Sequence, residues 1–277
     1  MTYKHILAPV IALDRDESTL RAAAALGQAF SAKAAALVVA VSVGSDYASQ
    51  VQPLSAVLDD IALGARSQAG QERERIKTWI AREPQAFEVR DLSIEDAAGE
   101  DQVLGHARVS DLIVMTRPVQ HDPARNALIE DVLFKSGRPM LLVPSAWRRE
   151  QWQTIVVGWN ARAEAVRAIS GAMPLLQAAK RVIVATVDAK PSAAGHSEAP
   201  GHEIAAHLAR HGVRAEVHNI DGLGRSHGKA LLDEAAAVDA DLVVLGAYGH
   251  SRAREFVFGG VTRELLMGSP IPLLMAR

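Results

Sequence analysis

Short apolar runs alternate along this chain with longer segments of helical period. In the first half the runs are His5-Ile-Leu-Ala-Pro-Val10, Ala36–Val43, Asp111-Leu-Ile-Val-Met115 and Met140–Val143. In the second they are Thr154-Ile-Val-Val-Gly-Trp159, Arg181–Val187, Asp241–Leu245 and Leu273–Met275. Runs this apolar, with little polar interruption, predict strands buried on both faces, the pattern of a parallel sheet lying under helices. Alanine-rich stretches, Ser18–Ala32 and Ala163–Ala178, follow the opening runs with helical spacing. A longer helical segment spans Leu54–Arg82, and Glu203–His211 reads as a surface helix. Strand–helix alternation of this kind gives right-handed crossovers and a doubly wound sheet.

The two halves read alike, in the same order. The opening strands and helices correspond, and Asp111-Leu-Ile-Val-Met115 is echoed by Asp241-Leu-Val-Val-Leu245. The halves also close alike, with Gly137-Arg-Pro-Met-Leu-Leu-Val143 against Ser269-Pro-Ile-Pro-Leu-Leu-Met275. This is internal duplication. The expected fold class is α/β, two tandem doubly wound, Rossmann-like parallel-sheet domains over residues 1–147 and 152–277, joined by the short linker Pro144–Trp152. A stretch rich in Pro, Ser, Ala and Gly, Lys190–Gly201, reads as a loop where the first half carries its long helical insert.

Composition narrows the function classes. At 277 residues, 49% of them hydrophobic, the chain suits two domains and can fill two sizeable cores. Aromatics are only 4%, so alanine supplies much of the apolar fraction and favours close-packed helices. A net charge of −2 offers no basic field for nucleic acid. The absence of cysteine excludes disulfides, zinc–thiolate sites and thiol chemistry. No apolar stretch reaches the roughly 18 residues a membrane span requires. The apolar start, MTYKHILAPVIAL, lacks an A-x-A cleavage site, and a cytoplasmic location is the expectation.

The most informative motif lies near the end of the chain. Gly246-Ala-Tyr-Gly249-His250 directly follows a predicted strand, and Gly259-Gly260-Val261-Thr262 opens a predicted helix, Thr262–Met267. In a doubly wound sheet ligands sit at the carboxyl ends of strands near the topological switch point. Glycines there let backbone approach a phosphate, and free N–H groups at a helix start complement its charge. Arg252 and Arg254, between the glycine clusters, read equally well as phosphate contacts or as solvated surface.

With this spacing, Gly-x2-Gly-x9-Gly-Gly-x-Thr, the chain resembles the universal stress protein family, as a tandem of two such domains. The resemblance implies that ATP or another adenine nucleotide binds the C-terminal half, with Mg2+ as an optional companion. Gly246, Gly249, His250, Gly259, Gly260, Val261 and Thr262 would surround the phosphates, and Gly158, Trp159, Asn160, Val187 and Leu245 the adenosine end. Gly260 stands where the family usually has Ser or Thr, and Asn160 where it has an acidic residue. Trp159 is bulkier than usual, able to stack on a base or to crowd it. The resemblance further implies that the last strands of the halves pair as an internal pseudo-dimer, and it leaves association into a homodimer open. The stress response is the implied setting, with the protein acting as a binding and signalling module. The alternatives are a non-nucleotide, chaperone-like scaffold and a weak ATPase.

In the N-terminal half the equivalent segment, Thr116-Arg-Pro-Val-Gln-His-Asp-Pro-Ala-Arg-Asn126, lacks both loop glycines. Pro118 and Pro123 stiffen it, Leu128-Ile-Glu130 replaces the second glycine cluster, and Ile11 stands where the acidic residue would be. Nucleotide binding in the family's manner is not expected there, because proline removes a donor and side chains block close approach.

Other candidates have simpler readings. Six of the ten histidines lie between His196 and His227, and His207 and His211 have i, i+4 spacing, but no carboxylate completes a metal site by spacing. Asp14, Asp16 and Glu17 favour the start of the first helix, with Ser18 as its expected cap. Asp111 and Asp241 recur at equivalent loop–strand junctions, which points to structure before catalysis. No Ser-His-Asp set, nucleophile elbow, P-loop lysine or Ser-Gly-Gly-x-Asp-Ser loop is present. No catalytic residue is assigned.

Overall fold

A computed structural model describes the chain apart from residues 1, 42–54, 84–86, 95–96, 120–121, 150, 192–197 and 248–259. Its first half runs β1 (His5–Val10), α1 (Leu13–Phe30), β2 (Lys33–Val41), α2 (Ser55–Ile80), β3 (Phe87–Ile94), α3 (Ala97–Arg108), β4 (Leu112–Thr116), α4 (Pro123–Lys135) and β5 (Met140–Val143). The second runs β6 (Thr154–Gly158), α5 (Ala163–Ala178), β7 (Arg181–Val187), α6 (His202–Arg210), β8 (Ala215–Ile220), α7 (His227–Ala237), β9 (Leu242–Gly246), α8 (Gly260–Gly268) and β10 (Leu273–Ala276).

All ten strands join one sheet in the order β3-β2-β1-β4-β5-β10-β9-β6-β7-β8. Neighbours within each half are parallel, as the apolar runs predict. The halves meet at an antiparallel pair, β5 with β10, where Leu141 faces Leu274. Each would otherwise end on an exposed edge, so the join satisfies two rows of backbone groups at once.

That join changes the expectation of two cores. The interior does divide in two, but by sheet face, and each part runs through both halves. One layer gathers Ile6, Val10, Leu20, Leu141, Ile155, Ile169, Leu208 and Leu274 beneath α1, α2, α5 and α6. The other gathers Leu7, Val103, Ile129, Met140, Val156, Leu231, Leu265 and Met275 beneath α3, α4, α7 and α8. A continuous sheet leaves no boundary at which either apolar layer could stop.

Contacts off the sheet also cross between halves. The Tyr3 hydroxyl donates to the Gly171 carbonyl at 2.6 Å, and Arg117 donates to the Met267 carbonyl at 2.7 Å, near the carboxyl end of α8. The guanidinium of Arg277 lies 4.6 Å over the ring of Phe134.

Asp111 and Asp241 do the same structural work in each half. Asp111 Oδ2 accepts from the Lys4 and His5 backbones at 2.7 and 3.0 Å. Asp241 Oδ2 accepts from Gln153 and Thr154 at 2.9 and 3.0 Å. Each carboxylate fixes the start of the neighbouring first strand. The expected cap Ser18 is corrected: α1 begins at Leu13 with Ala12 as its cap residue, and Ser18 is buried inside the helix with its hydroxyl unpartnered. The capping comes from Asp16, whose Oδ2 accepts from the Ile11 and Ala12 backbones at 2.8 and 3.1 Å.

Candidate nucleotide site

The chain leaves β6 toward β7 on one side and returns as β9 on the other. The carboxyl ends of β6 and β9 therefore flank the topological switch point of the C-terminal half, where such sheets open a crevice. Gly158 ends β6 and Gly246 ends β9. A Cβ on Gly246 would lie 2.5 Å from Glu164 Cγ and 2.6 Å from the Ala165 backbone nitrogen. The first turn of α5 thus crosses directly over this glycine, so its absent side chain serves helix–strand packing. Gly158 is less constrained, its nearest neighbour being the Leu231 side chain at 3.0 Å.

Asn160 stands just past β6 and holds the turn into α5. Its Oδ1 accepts from the Arg162 backbone at 3.2 Å, and its Nδ2 donates to Glu164 Oε1 at 3.3 Å. The turn passes through Ala161 at φ 57°, a left-handed conformation uncommon outside glycine. Glu164 is buried at 7% exposure although it carries a carboxyl group. Sequence reasoning passed over it; the signal was its i, i+4 spacing from Asn160.

The other expected site residues divide by face. Trp159 packs partly buried against the α5 and α6 layer, and its backbone N–H donates to Ala185 at 2.9 Å. Leu245 lies in the opposite layer with α7 and α8, so these two side chains are not brought together. Val187 ends β7 beside Asp188, whose Oδ1 accepts from the Gly222 backbone at 2.9 Å. Gly260 and Val261 begin α8, and Thr262 in its first turn is buried at 6% exposure. Gly249, His250 and Gly259 lie outside the described residues, as do Arg252 and Arg254.

The matching end of the N-terminal half is filled from within. Helices α4 and α8 end in register, with Ser136 donating to Val132 and Ser269 to Leu265. Helix α4 opens at Pro123, with Asp122 as its cap residue. Its first turn carries Arg125, whose guanidinium pairs bidentately with Asp16 at 2.5 and 2.7 Å. Arg125 and Asp16 are 3% and 1% exposed. Burial opposes the charge on Arg125, but the Asp16 pair and nearby Asp122 more than offset it and raise its pKa. Asp122 also caps α4 through the Arg125 backbone and pairs with Arg15. Sequence reasoning assigned Asp16 only to helix-start electrostatics and did not identify Arg125, because its partner lies in a distant element.

Elsewhere, an open groove of about 750 Å³ lies between α1 and α2, lined by Leu13, Arg75, Trp79 and Arg82 among others, outside the C-terminal half. The rings of His207 and His211 lie 4.7 Å apart, and among the described residues no third ligand joins them. No helix among the described residues is long and apolar enough to cross a membrane.

Residues 151–277 match the sequence profile of the Universal stress protein family. The chain carries a universal stress protein domain. The fold extends over both halves. A universal stress protein from Archaeoglobus fulgidus DSM 4304 is similar at a TM-score of 0.66 and 13% identity, with 99% of this chain and 98% of that one covered. A functionally unknown protein from Pseudomonas aeruginosa PAO1 is similar at 0.56 and 14%, with 99% and 92% covered. A universal stress protein in complex with cAMP is similar over 46% of this chain and 97% of its own, at 23% identity and a TM-score of 0.36. No curated protein matches the chain.

Proposed function

We propose that the universal stress protein domain at residues 152–277 binds ATP or a related adenine nucleotide, with or without Mg2+, and acts in the cytoplasm as a stress-response binding and signalling module. Residues 1–147 serve as a partner domain that does not bind nucleotide. The reading is carried by the Gly246-x2-Gly249-x9-Gly259-Gly260-x-Thr262 spacing, which starts at the end of β9 and finishes in the first turn of α8. Phosphates would lie toward α8, where backbone N–H groups of a helix start favour an anion. Gly158, Trp159, Asn160, Val187 and Leu245 would line the adenosine end, with the side chains of Trp159 and Leu245 on opposite faces of the sheet. One nucleotide per chain follows, since Arg125 and Asp16 fill the corresponding place in the first half.

A scaffold without nucleotide is the competing reading, and a specific observation favours it: Gly246 has a packing reason of its own beneath α5. Two measurements separate them. Denaturing the purified protein should release an adenine nucleotide, and ATP at 100 times its Kd should stabilise the protein by about 2.7 kcal/mol. Gly259→Val should abolish both effects while the unliganded protein stays folded. No released nucleotide and no thermal shift with ATP and Mg2+ would leave the scaffold reading standing.

A further inference from the structure

Two histidines of the first half meet one arginine, and the chemistry of the three groups leaves a single arrangement of protons. Nη1 of Arg90, on β3, lies 3.3 Å from His106 Nδ1 near the end of α3, and Nη2 lies 3.5 Å from His5 Nε2 at the start of β1. A guanidinium has only donors to offer. Both imidazole nitrogens therefore accept, and neither carries a proton. The other ring nitrogen of His5, Nδ1, lies 3.1 Å from the Val109 carbonyl, which can only accept. His5 is thus neutral with its proton on Nδ1, and His106 is neutral with its proton on Nε2.

The surroundings fix Arg90 and oppose further positive charge. Arg90 Nε donates to Glu88 at 2.8 Å, and Glu88 also pairs with Lys33 of β2. Arg90 and Lys33 hold the Glu88 pKa down to about 2, so this carboxylate stays charged wherever a histidine titrates. Burial, Arg90 and His5 lower the His106 pKa, and Glu88 opposes them. Among the described residues, Glu88 is the one carboxylate acting on His106. Asp111, before β4, holds the Lys4 and His5 backbones, and Arg138 holds the Arg108 carbonyl.

We propose that Arg90, His5 and His106 form an acid-sensitive latch holding the carboxyl end of α3 to β1 and β3. Protonating either imidazole turns an acceptor into a donor facing Arg90, so the hydrogen bond is lost and like charges meet. The lowered pKa of His106 gives the linkage its sign. The latch is fully effective above about pH 6.5, where a free imidazole is also neutral, and fails as the pH falls toward the lowered value. Opening there exposes Val103, Leu104 and Ala107, which are buried in the layer beneath α3. The latch is independent of nucleotide binding in the other half.

Amide hydrogen exchange of the full chain, corrected for the intrinsic effect of pH, and nitrogen NMR of the imidazoles test this. Between about pH 7.5 and about pH 5.5, exchange at residues 103–109 should accelerate by about threefold or more. The double variant His5→Gln with His106→Gln keeps two acceptors for Arg90 that take up no proton, and should lose this acceleration. At neutral pH the wild type should show His5 protonated on Nδ1 and His106 on Nε2. Arg90→Met keeps both histidines and removes the cation, so the titration midpoint of His106 should rise whether or not the double variant folds. Exchange that does not respond to acid, or responds equally in the double variant, overturns the latch. So does an unchanged His106 midpoint in Arg90→Met, or a wild-type His106 that titrates at or above about pH 6.5.

Discussion

Asp16 and Arg125 illustrate what a single pair can decide. Both are almost completely buried, and neither is expendable alone, because removing one partner strands the other's charge in a low-dielectric interior. Asp16→Asn or Arg125→Ala should each cost about 3–5 kcal/mol in urea unfolding. Replacing both together, as Asp16→Leu with Arg125→Met, should recover only part of that loss: apolar residues need no ionic partner, but the Ile11 and Ala12 N–H groups lose their acceptor. Single-variant losses below about 1 kcal/mol would show the pair to be screened like a surface bridge. The acidic character of residues 14–17 was visible in the sequence, but not which of the three would be buried. Asp14 is exposed and pairs with Arg75, whereas Asp16 is met by a residue 109 positions away.

At the scale of elements, the packing of α5 on β9 depends on Gly246. A methyl group there would meet α5 backbone, not the tip of a flexible chain, so the helix must move as a unit. Gly246→Ala should therefore cost about 1–3 kcal/mol by thermal unfolding, the range for overpacking a filled site. A neutral result would mean that α5 slides freely and that the glycine is there for a ligand alone. Elements were legible in proportion to their burial on both faces. Arg181–Val187 and Ala163–Ala178 appear with the bounds that the apolar pattern predicts. The edge strands β3 (FEVRDLSI) and β8 (AEVHNI) did not stand out, because a strand with one neighbour and a solvated face mixes charged with apolar residues. The start of α1 was misplaced for a related reason. A carboxylate inside the first turn caps it, and no serine at its start announces it.

Across the whole molecule, the halves are locked by the β5–β10 pair and by contacts such as that of Tyr3 with Gly171. Burial, aided by the charge of Asp111, raises the Tyr3 pKa well above its ordinary value. The folded protein thus keeps this phenol protonated where the unfolded chain, titrating near pH 10, loses its proton. The stabilisation is present in full below about pH 10 and declines as the pH rises further. Tyr3→Phe should be less stable than the wild type by about 1 kcal/mol at pH 8, the worth of one hydrogen bond. The gap should narrow in thermal melts taken between about pH 10 and 11.5. A gap that stays constant would mean that the phenol ionises alike in both states.

The sequence by itself determined the duplication, the parallel strand–helix order and the place of the glycine signature between β9 and α8. Each depends on local pattern: the period of apolar residues, or a spacing along a short stretch of chain. Only the tertiary structure decided that the cores divide by sheet face, that Arg125 answers Asp16, and that Glu164 lies buried against Gly246. Those outcomes depend on which distant elements meet. The first turn of α4 brings Arg125 to the buried Asp16, a pairing that the hydrophobic pattern shared by both halves does not reveal.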